Sequence, residues 1–294
     1  MLIKVKSNAE RLDKFLALYL KESRSVISRI IKGNYVLVNG NSVKSSYNVE
    51  ENDLIEVKDN YKEKTIIAPE DIHLDIIFED NDIIVINKPS GLVVHPTSFG
   101  QGTLVNALMH HTEHLSDVNG PSRRGIVHRL DKDTSGLMLV AKNNEAHHIL
   151  AKNFREKTIK REYIALLIGD FPHGSATIDA PLGRDKVHKE KRTVKEGGKN
   201  ALTYLTTLKR YEGFTLVKLN LATGRTHQIR VHMSYIGYPI YNDPLYSKKV
   251  ADKFGQFLHS ATLEFLHPIT KKKMHFEADL PSEFANFVNN LVEK

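Results

Sequence analysis

From His73 onward, short apolar runs bounded by turn residues follow one another with few helical patterns between them. No other feature restricts the fold as much, because such runs read as strands that must find partners. Ile76-Ile77-Phe78 and Ile83-Ile84-Val85-Ile86 flank Glu79-Asp80-Asn81-Asp82 as the arms of a hairpin. Asn87-Lys88-Pro89-Ser90-Gly91 reads as a turn and Leu92-Val93-Val94-His95-Pro96 as another extended piece. Further strands are expected at 136–141, 159–168, 201–210, 213–221, 256–266 and 273–278, with helices at 103–109, 144–157, 225–235 and 282–292. Neighbouring strands with scattered helices predict an α+β domain around a mixed, mostly antiparallel central sheet.

Residues 1–60 read as a separate small α/β module. Leu12, Phe15, Leu16 and Tyr19 recur at helical spacing, and Val26, Ile27, Ile30 and Ile31 mark a second helix. Ser23 or Ser25 is its expected N-cap and Gly33 its stop. Tyr35-Val36-Leu37-Val38, the Asn39-Gly40 turn, Val43 and Asp53-Leu54-Ile55-Glu56-Val57 read as short strands. Arg11, Lys14, Arg24, Arg29 and Lys32 gather on the polar face, which is either a solvated helical surface or a platform for an RNA backbone. Residues 61–72 are polar, carry Pro69 and are read as a linker; 73–294 form the larger domain.

The 294 residues contain no cysteine, which excludes disulfides, thiolate zinc sites and cysteine nucleophiles and fits a reducing compartment. Lys and Arg exceed Asp and Glu by 42 − 35 = 7, an excess that points weakly to a polyanionic partner. Met1-Leu2-Ile3-Lys4-Val5-Lys6 lacks the apolar core of a secretory signal, and no run approaches the roughly 18 apolar residues of a membrane span. A soluble cytoplasmic protein without membrane contact is expected.

The chemistry concentrates in Gly125-Ile126-Val127-His128-Arg129-Leu130-Asp131-Lys132-Asp133-Thr134-Ser135-Gly136, just before an apolar strand. Asp131, Asp133, Ser135 and Gly136 imitate the start of a calcium loop. Its twelfth position would be Lys142 in place of the bidentate glutamate, so calcium is rejected. A structural turn accounts for Asp133 and Ser135 as local caps, but not for an acid set among His128, Arg129 and Lys132. Two other runs stand out: Lys160-Arg161-Glu162-Tyr163-Ile164-Ala165, and Leu221-Ala222-Thr223-Gly224-Arg225-Thr226-His227-Gln228-Ile229-Arg230-Val231-His232. The second reads as strand, glycine turn and a helix opening with cations, an arrangement suited to holding an anion. His227 and His232, five apart, do not share a helical face as zinc ligands do, and no metal site is expected. His110, His111 and His114 are read as surface or loop histidines, and Gly183–Arg192 as a charged loop, either solvated or gripping RNA.

Taken in order, and with Phe257-Leu258-His259-Ser260-Ala261 and Leu263-Glu264-Phe265-Leu266-His267-Pro268 after them, these runs resemble the signatures of the RluA/RluD-type RNA pseudouridine synthases. The N-terminal module is similar to the S-four-type RNA-binding domain through R-L-D-K-F-L, S-R-S and G-N-Y-V-L-V-N-G, with Asn52 where a glycine usually precedes the last strand. The resemblance implies the pseudouridine synthase fold, and an isomerase that breaks the N1–C1′ bond of a uridine, turns the uracil and joins C5 to the same C1′. No cofactor is needed. Asp131 is then the catalytic carboxylate, either attacking the sugar or taking a proton from it. Tyr163 is the active-site tyrosine, and Arg230 the arginine that pairs with the aspartate. Arg129 fills the place of the extruded nucleotide or holds the displaced strand, Leu258 presses on the base, and His128 and Arg225 lie at the RNA. The RluD side of the family is nearer. It implies structured large-subunit ribosomal RNA or a pre-ribosomal particle as partner, hence rRNA modification, rRNA processing and ribosome biogenesis, and a monomer. Transfer RNA is the alternative substrate, and a non-catalytic RNA-binding assembly factor the alternative function.

Overall fold

The computed structural model describes residues 1–6, 10–22, 24–58, 67–96, 101–248 and 254–294, without the side chains of Ser25 and Arg29. The expected N-cap Ser23, the Arg29 contact and residues 61–66 of the linker therefore lie outside the described residues, while Ser25, the other expected N-cap, falls inside the second helix, which begins at Arg24. The chain divides into two compact units, 1–66 and 67–294.

In the first unit, helices α1 (Leu12–Leu20) and α2 (Arg24–Lys32) cover a three-stranded antiparallel sheet of β1 (Leu2–Lys4), β2 (Val36–Val38) and β3 (Leu54–Val57), in the order β1-β3-β2. Leu12, Leu16, Ile27, Ile30 and Ile31 supply the apolar helical faces, packed on Val36, Val38, Ile55 and Val57. Burial of these faces is the main drive for so small a fold. Asn52 takes φ 72°, a left-handed backbone that asparagine adopts more readily than most residues. Strand β1 is missed in the sequence because only Ile3 of its three residues faces inward, too little for an alternating pattern.

The second unit begins with β4 (Ile76–Glu79), β5 (Ile83–Lys88), α3 (Leu104–His111), β6 (Ser135–Ala141), α4 (Asn144–Glu156), β7 (Lys160–Ile168) and β8 (Ser175–Asp179). It continues with β9 (Leu182–Arg184), β10 (Arg192–Val194), β11 (Leu202–Tyr211), β12 (Phe214–Leu221), α5 (Gln228–Tyr235), β13 (Leu258–Leu266), β14 (Lys273–Glu277) and α6 (Ser282–Asn289). The main sheet runs β4-β5-β6-β13-β7-β12-β11-β8, with β14 also paired to β13. Only β6 and β13 pair in parallel; every other pairing in this sheet is antiparallel. The mixed, mostly antiparallel sheet expected from the sequence is thus the one found.

Three expectations are corrected. Residues 67–72 are no linker: Ile67 packs in the core, Asn106 Nδ2 donates to the Ala68 carbonyl (2.8 Å), and the Glu70 carboxylate accepts the Gly102 N–H (3.0 Å). Composition hides this anchoring because the partners are a backbone and two polar side chains. The 183–192 segment is a loop between two strands, as expected, but its ends, Gly183, Arg184 and Arg192, belong to the strands β9 and β10 themselves, which are too short and polar to show an apolar alternation. Helix α5 begins at Gln228 rather than Arg225, since His227 turns left-handed at φ 58° as its N-cap.

Strand β6 holds the acidic loop that precedes it. Leu137, Leu139 and Ala141 pack with Ala146 and Leu150 of α4, while Met138 and Val140 enter the core on the opposite face. The strand is buried on both sides and sets the loop before it, Asp131–Thr134, at a fixed edge of the core. Gly136 (φ 105°) lets β6 approach β13, since a Cβ there would stand 2.3 Å from the Ser260 carbonyl oxygen. Ser135 Oγ bonds His259 Nδ1 (2.9 Å) across these strands, so Ser135 is a tie between strands rather than the local cap the sequence implies.

On the other side of the loop, the buried Lys88 ammonium donates to the carbonyls of Pro89 (2.7 Å), Leu92 (2.9 Å) and Lys132 (2.8 Å). Burial pushes its pKa down to about 7, and the charges of Asp133 and Asp131 pull it upward. Only the ammonium form has three protons for three carbonyls. Replacing Lys88 by Met leaves those acceptors unsatisfied, and we expect a loss of about 3 kcal/mol in urea unfolding of the full chain. A loss below about 1 kcal/mol would refute this role for Lys88.

Candidate active site

Asp131 lies at the end of a cleft of about 520 Å³, lined by the loop 127–131, the end of α4, strand β7, the 221–230 segment and Leu258. Its Oδ2 accepts a hydrogen bond from Arg230 Nη1 at 3.0 Å, and Oδ1 is 3.8 Å from His227 Nε2. The Asp131 side chain is 15% exposed, against 5% for Arg230, so the pair is sheltered while the carboxylate still reaches the cleft.

Arg230 is held from behind by an acid the sequence reading passed over. Asp243 accepts from Arg230 Nε at 2.7 Å and from Nη2 at 2.8 Å, a fork-on-fork pair with a fully buried carboxylate. Its Oδ1 also accepts the backbone N–H groups of Leu245 (2.9 Å) and Tyr246 (3.0 Å). Burial works against the Arg230 cation, but the hydrogen bonds of Asp243 and the charge of Asp131 outweigh it and raise its pKa. Arg230 thus stays charged and offers Asp131 a single N–H. The guanidinium also lies over the Tyr246 ring, 5.1 Å from its centroid. Tyr241-Asn242-Asp243-Pro244-Leu245-Tyr246 carries a turn signal, but nothing in it reports that a cation lies opposite.

His227 is fixed beside the pair by the Tyr246 hydroxyl, 2.9 Å from its Nδ1; that hydroxyl accepts the Arg192 N–H at 2.7 Å. Burial lowers the His227 pKa despite the nearby charge of Asp131, which favours a neutral ring. Gln228 knits the turn, its carbonyl accepting from Thr223 Oγ1 (2.7 Å) and the Arg225 N–H (3.0 Å).

The other residues predicted for the site divide between the two units. Tyr163, Leu258, His128, Arg129 and Arg225 all line the cleft with Asp131. Tyr163 and Leu258 are nearly buried on the adjacent strands β7 and β13, where Tyr163 faces Ser260 in the register. Arg129 is exposed, and Arg225 is exposed with its Nε donating to the Asn200 carbonyl (3.0 Å). His128 is more of a structural post than its place in the motif implies. Its Nε2 accepts the Leu139 N–H (2.9 Å), its ring stacks on Phe154 at 4.5 Å, and burial, with Arg161 nearby, pushes its pKa down to about 3. Only Nδ1 is left, buried and without a protein partner. Arg155 and Lys157, which the sequence reading did not single out, and Arg161 of the Lys160–Ala165 run add cations to the cleft. Arg161 lies over the Phe154 ring, 5.2 Å from its centroid. A second groove of about 440 Å³ carries Arg184, Arg192 and Lys199 and shares Gly224, Arg225 and Thr226 with the first.

Arg11, Lys14, Arg24 and Lys32 are in the first unit, all exposed. Lys14 is paired with Glu10 at 2.5 Å.

Among the described residues, the one group near enough to share a metal ion, Asp80, Asp82 and His267, is already engaged in hydrogen bonds. His267 Nδ1 accepts the N–H groups of Ile269 (3.2 Å) and Thr270 (3.1 Å), so its proton sits on Nε2 and is donated to Asp80 (2.8 Å). Both nitrogens of His232 are similarly engaged, at Thr203 Oγ1 (2.9 Å) and the Ala180 carbonyl (3.0 Å), which removes it as a ligand beside His227.

The arrangement offers one accessible carboxylate, held by one N–H of a buried cation, in a cleft ringed by Arg129, Arg155, Lys157, Arg161 and Arg225. That combination suits nucleophilic or proton-transfer chemistry on a polyanion. Known proteins agree with it. The RNA pseudouridylate synthase family model matches residues 82–235, and the S4 domain model matches residues 10–55. An RNA pseudouridine synthase of Bacillus subtilis, YlyB, is 47% identical over 96% of this chain and 94% of its own. The ribosomal large subunit pseudouridine synthase D of Pseudomonas aeruginosa is 40% identical over 94% of this chain and 90% of its own. Among solved structures, human RNA pseudouridylate synthase domain containing 1 superposes with a TM-score of 0.62 at 26% identity, covering 76% of this chain and 89% of that one. Among the described residues, no helix is long and apolar enough to cross a membrane.

Proposed function

Since this chain belongs to the RNA pseudouridylate synthase family, we propose that it isomerises uridines of large-subunit ribosomal RNA, with Asp131 as the catalytic carboxylate. The observation that carries the assignment of Asp131 is its single hydrogen bond to Arg230, which leaves Oδ1 for the substrate. In the reaction the N1–C1′ bond breaks, the uracil turns within the cleft, C5 bonds to C1′ and the C5 proton leaves. Asp131 either attacks the sugar or removes a proton from it. Tyr163 stacks on the uracil, and Leu258 gives the base an apolar wall. Arg129 occupies the gap left when the nucleotide is drawn from its stack, which costs a few kcal/mol. Arg225 meets RNA groups at the rim, and His128 meets them from the cleft wall. In the N-terminal module, Arg11, Lys14, Arg24 and Lys32 meet the RNA backbone.

Hydrolytic excision of the base is the less favoured reading. It needs a second carboxylate spaced about 5–10 Å around the bond, and the neighbouring Asp243 is fully buried and bonded to Arg230 through both oxygens.

The name of the Pseudomonas relative favours ribosomal RNA over transfer RNA. In the test, transcribed large-subunit ribosomal RNA and bulk transfer RNA, each labelled with tritium at uridine C5, are incubated with the full chain. Release from the ribosomal RNA, without free uracil, is expected. Release from transfer RNA alone would overturn the substrate, and stable binding without release from either would favour an assembly factor.

A further inference from the structure

The basic surface of the N-terminal module contains a buried acid. Asp13, at the start of α1, is 3% exposed, yet the two guanidiniums that meet it are open to solvent, with side-chain exposures of 46% for Arg11 and 54% for Arg24. Arg11 donates from Nε to Oδ1 at 3.1 Å and from Nη2 to Oδ2 at 3.1 Å, and Arg24 Nη2 donates to Oδ2 at 2.7 Å. The carboxylate is also fixed from the backbone side, since the Asp13 N–H bonds the Ser45 carbonyl at 3.1 Å. The hydrogen bond from Arg11, followed by that of Arg24, holds the Asp13 carboxyl down at about 2 against the effect of burial, so it is ionised at any physiological pH.

An acid placed for charge alone is out of place here. It cancels one of the cations a polyanion would meet, and long-range attraction falls accordingly. The geometry accounts for it differently. Arg11 immediately precedes α1 and Arg24 opens α2, so two long side chains leave two helix starts and are brought together on one carboxylate. Free guanidiniums on a surface sample many rotamers and repel one another, and both costs fall on the ligand that must order them. A guanidinium has five N–H donors; Asp13 takes two from Arg11 and one from Arg24, which leaves each fork aimed in a set direction.

We propose that Asp13 is a positioning residue for RNA, holding Arg11 and Arg24 side by side as a preformed clamp for phosphodiester oxygens. The proposal rests on the reading of this module as the RNA-backbone contact. It makes a prediction opposite in sign to simple electrostatics. Asp13→Asn raises the net charge by one and should tighten binding if only charge matters; with a preformed clamp lost, it weakens binding.

The test uses the full chain and a transcribed large-subunit ribosomal RNA fragment as probe, with affinity measured across a salt series. Asp13→Asn is expected to weaken binding about tenfold, and to make the slope of log affinity against log salt shallower by about 1, as for the loss of a phosphate contact. The double variant Arg11→Lys/Arg24→Lys keeps both charges but lacks the forks, and the same loss is expected. Adding Asp13→Asn to it should then cost nothing more. Equal or tighter binding by Asp13→Asn overturns the clamp. Should thermal melting show that Asp13→Asn unfolds the module, the lysine double variant decides, and undiminished affinity there overturns it equally. Arg11→Ala/Arg24→Ala separates the two levels. If it binds as well as the parent, the module reading itself fails; if it binds worse while Asp13→Asn does not, only the positioning role fails.

Discussion

Replacing Asp131 by Asn is expected to abolish pseudouridine formation, with single-turnover tritium release falling by about 10⁴-fold or more while RNA affinity stays within a few-fold of the parent. The separation of these effects follows from the site. Asparagine keeps the shape of the side chain and an oxygen for Arg230 Nη1, and Arg230 keeps both bonds to Asp243, so the cleft is undisturbed. The cations that line the cleft, Arg129, Arg155, Lys157, Arg161 and Arg225, are untouched. What disappears is the negative charge proposed to attack the sugar or take its proton, a contribution that neighbouring donors cannot replace. Release within tenfold of the parent would remove Asp131 from the chemistry.

Asp243→Ala is expected to lower the turnover of bound RNA by about 10²-fold with little change in KM, although Asp243 is fully buried and touches no substrate. At present the guanidinium is shared: Nε and Nη2 go to Asp243 and Nη1 to Asp131. Without Asp243 the same planar fork is free to rotate and close on both Asp131 oxygens, a stronger bidentate pair that leaves no carboxylate oxygen for the sugar. The turn through Leu245 and Tyr246 loses its acceptor too, and with it the hydroxyl that steadies His227. Arg230→Lys should show a loss of similar size, because an ammonium cannot bridge two carboxylates as a fork does. Steady-state kinetics on both variants, with melting temperatures as a folding check, test this. Turnover within threefold of the parent in a folded Asp243→Ala protein would mean that Arg230 needs no second acid.

Much of the site was legible before any fold was known, since runs such as His128–Gly136 and Thr223–Arg230 are continuous in sequence. Asp131, Tyr163, Arg230 and Leu258 come from four such runs and line one cleft. What could not be read is what touches those runs from elsewhere. Asp243 and Lys88 serve the site through contacts spanning 13 and 44 residues, made by side chains whose local neighbourhoods look like ordinary turns. His128 carries a second duty that its own run does not announce. Its motif marks it for RNA, yet a backbone N–H of β6 and the ring of Phe154 occupy most of it.

By itself the sequence determined the alternation of strands and helices and the α+β class, because apolar period follows directly from which face each element must bury. It also identified the residue types gathered around the acid. The tertiary structure alone decided the sharing of one guanidinium between Asp131 and Asp243, the pinning of the Asp131–Thr134 loop between Lys88 and Gln256, and the meeting of Arg11 and Arg24 on Asp13. These are polar contacts with no period. They depend on distance and direction between side chains, and those exist only once the apolar elements have packed.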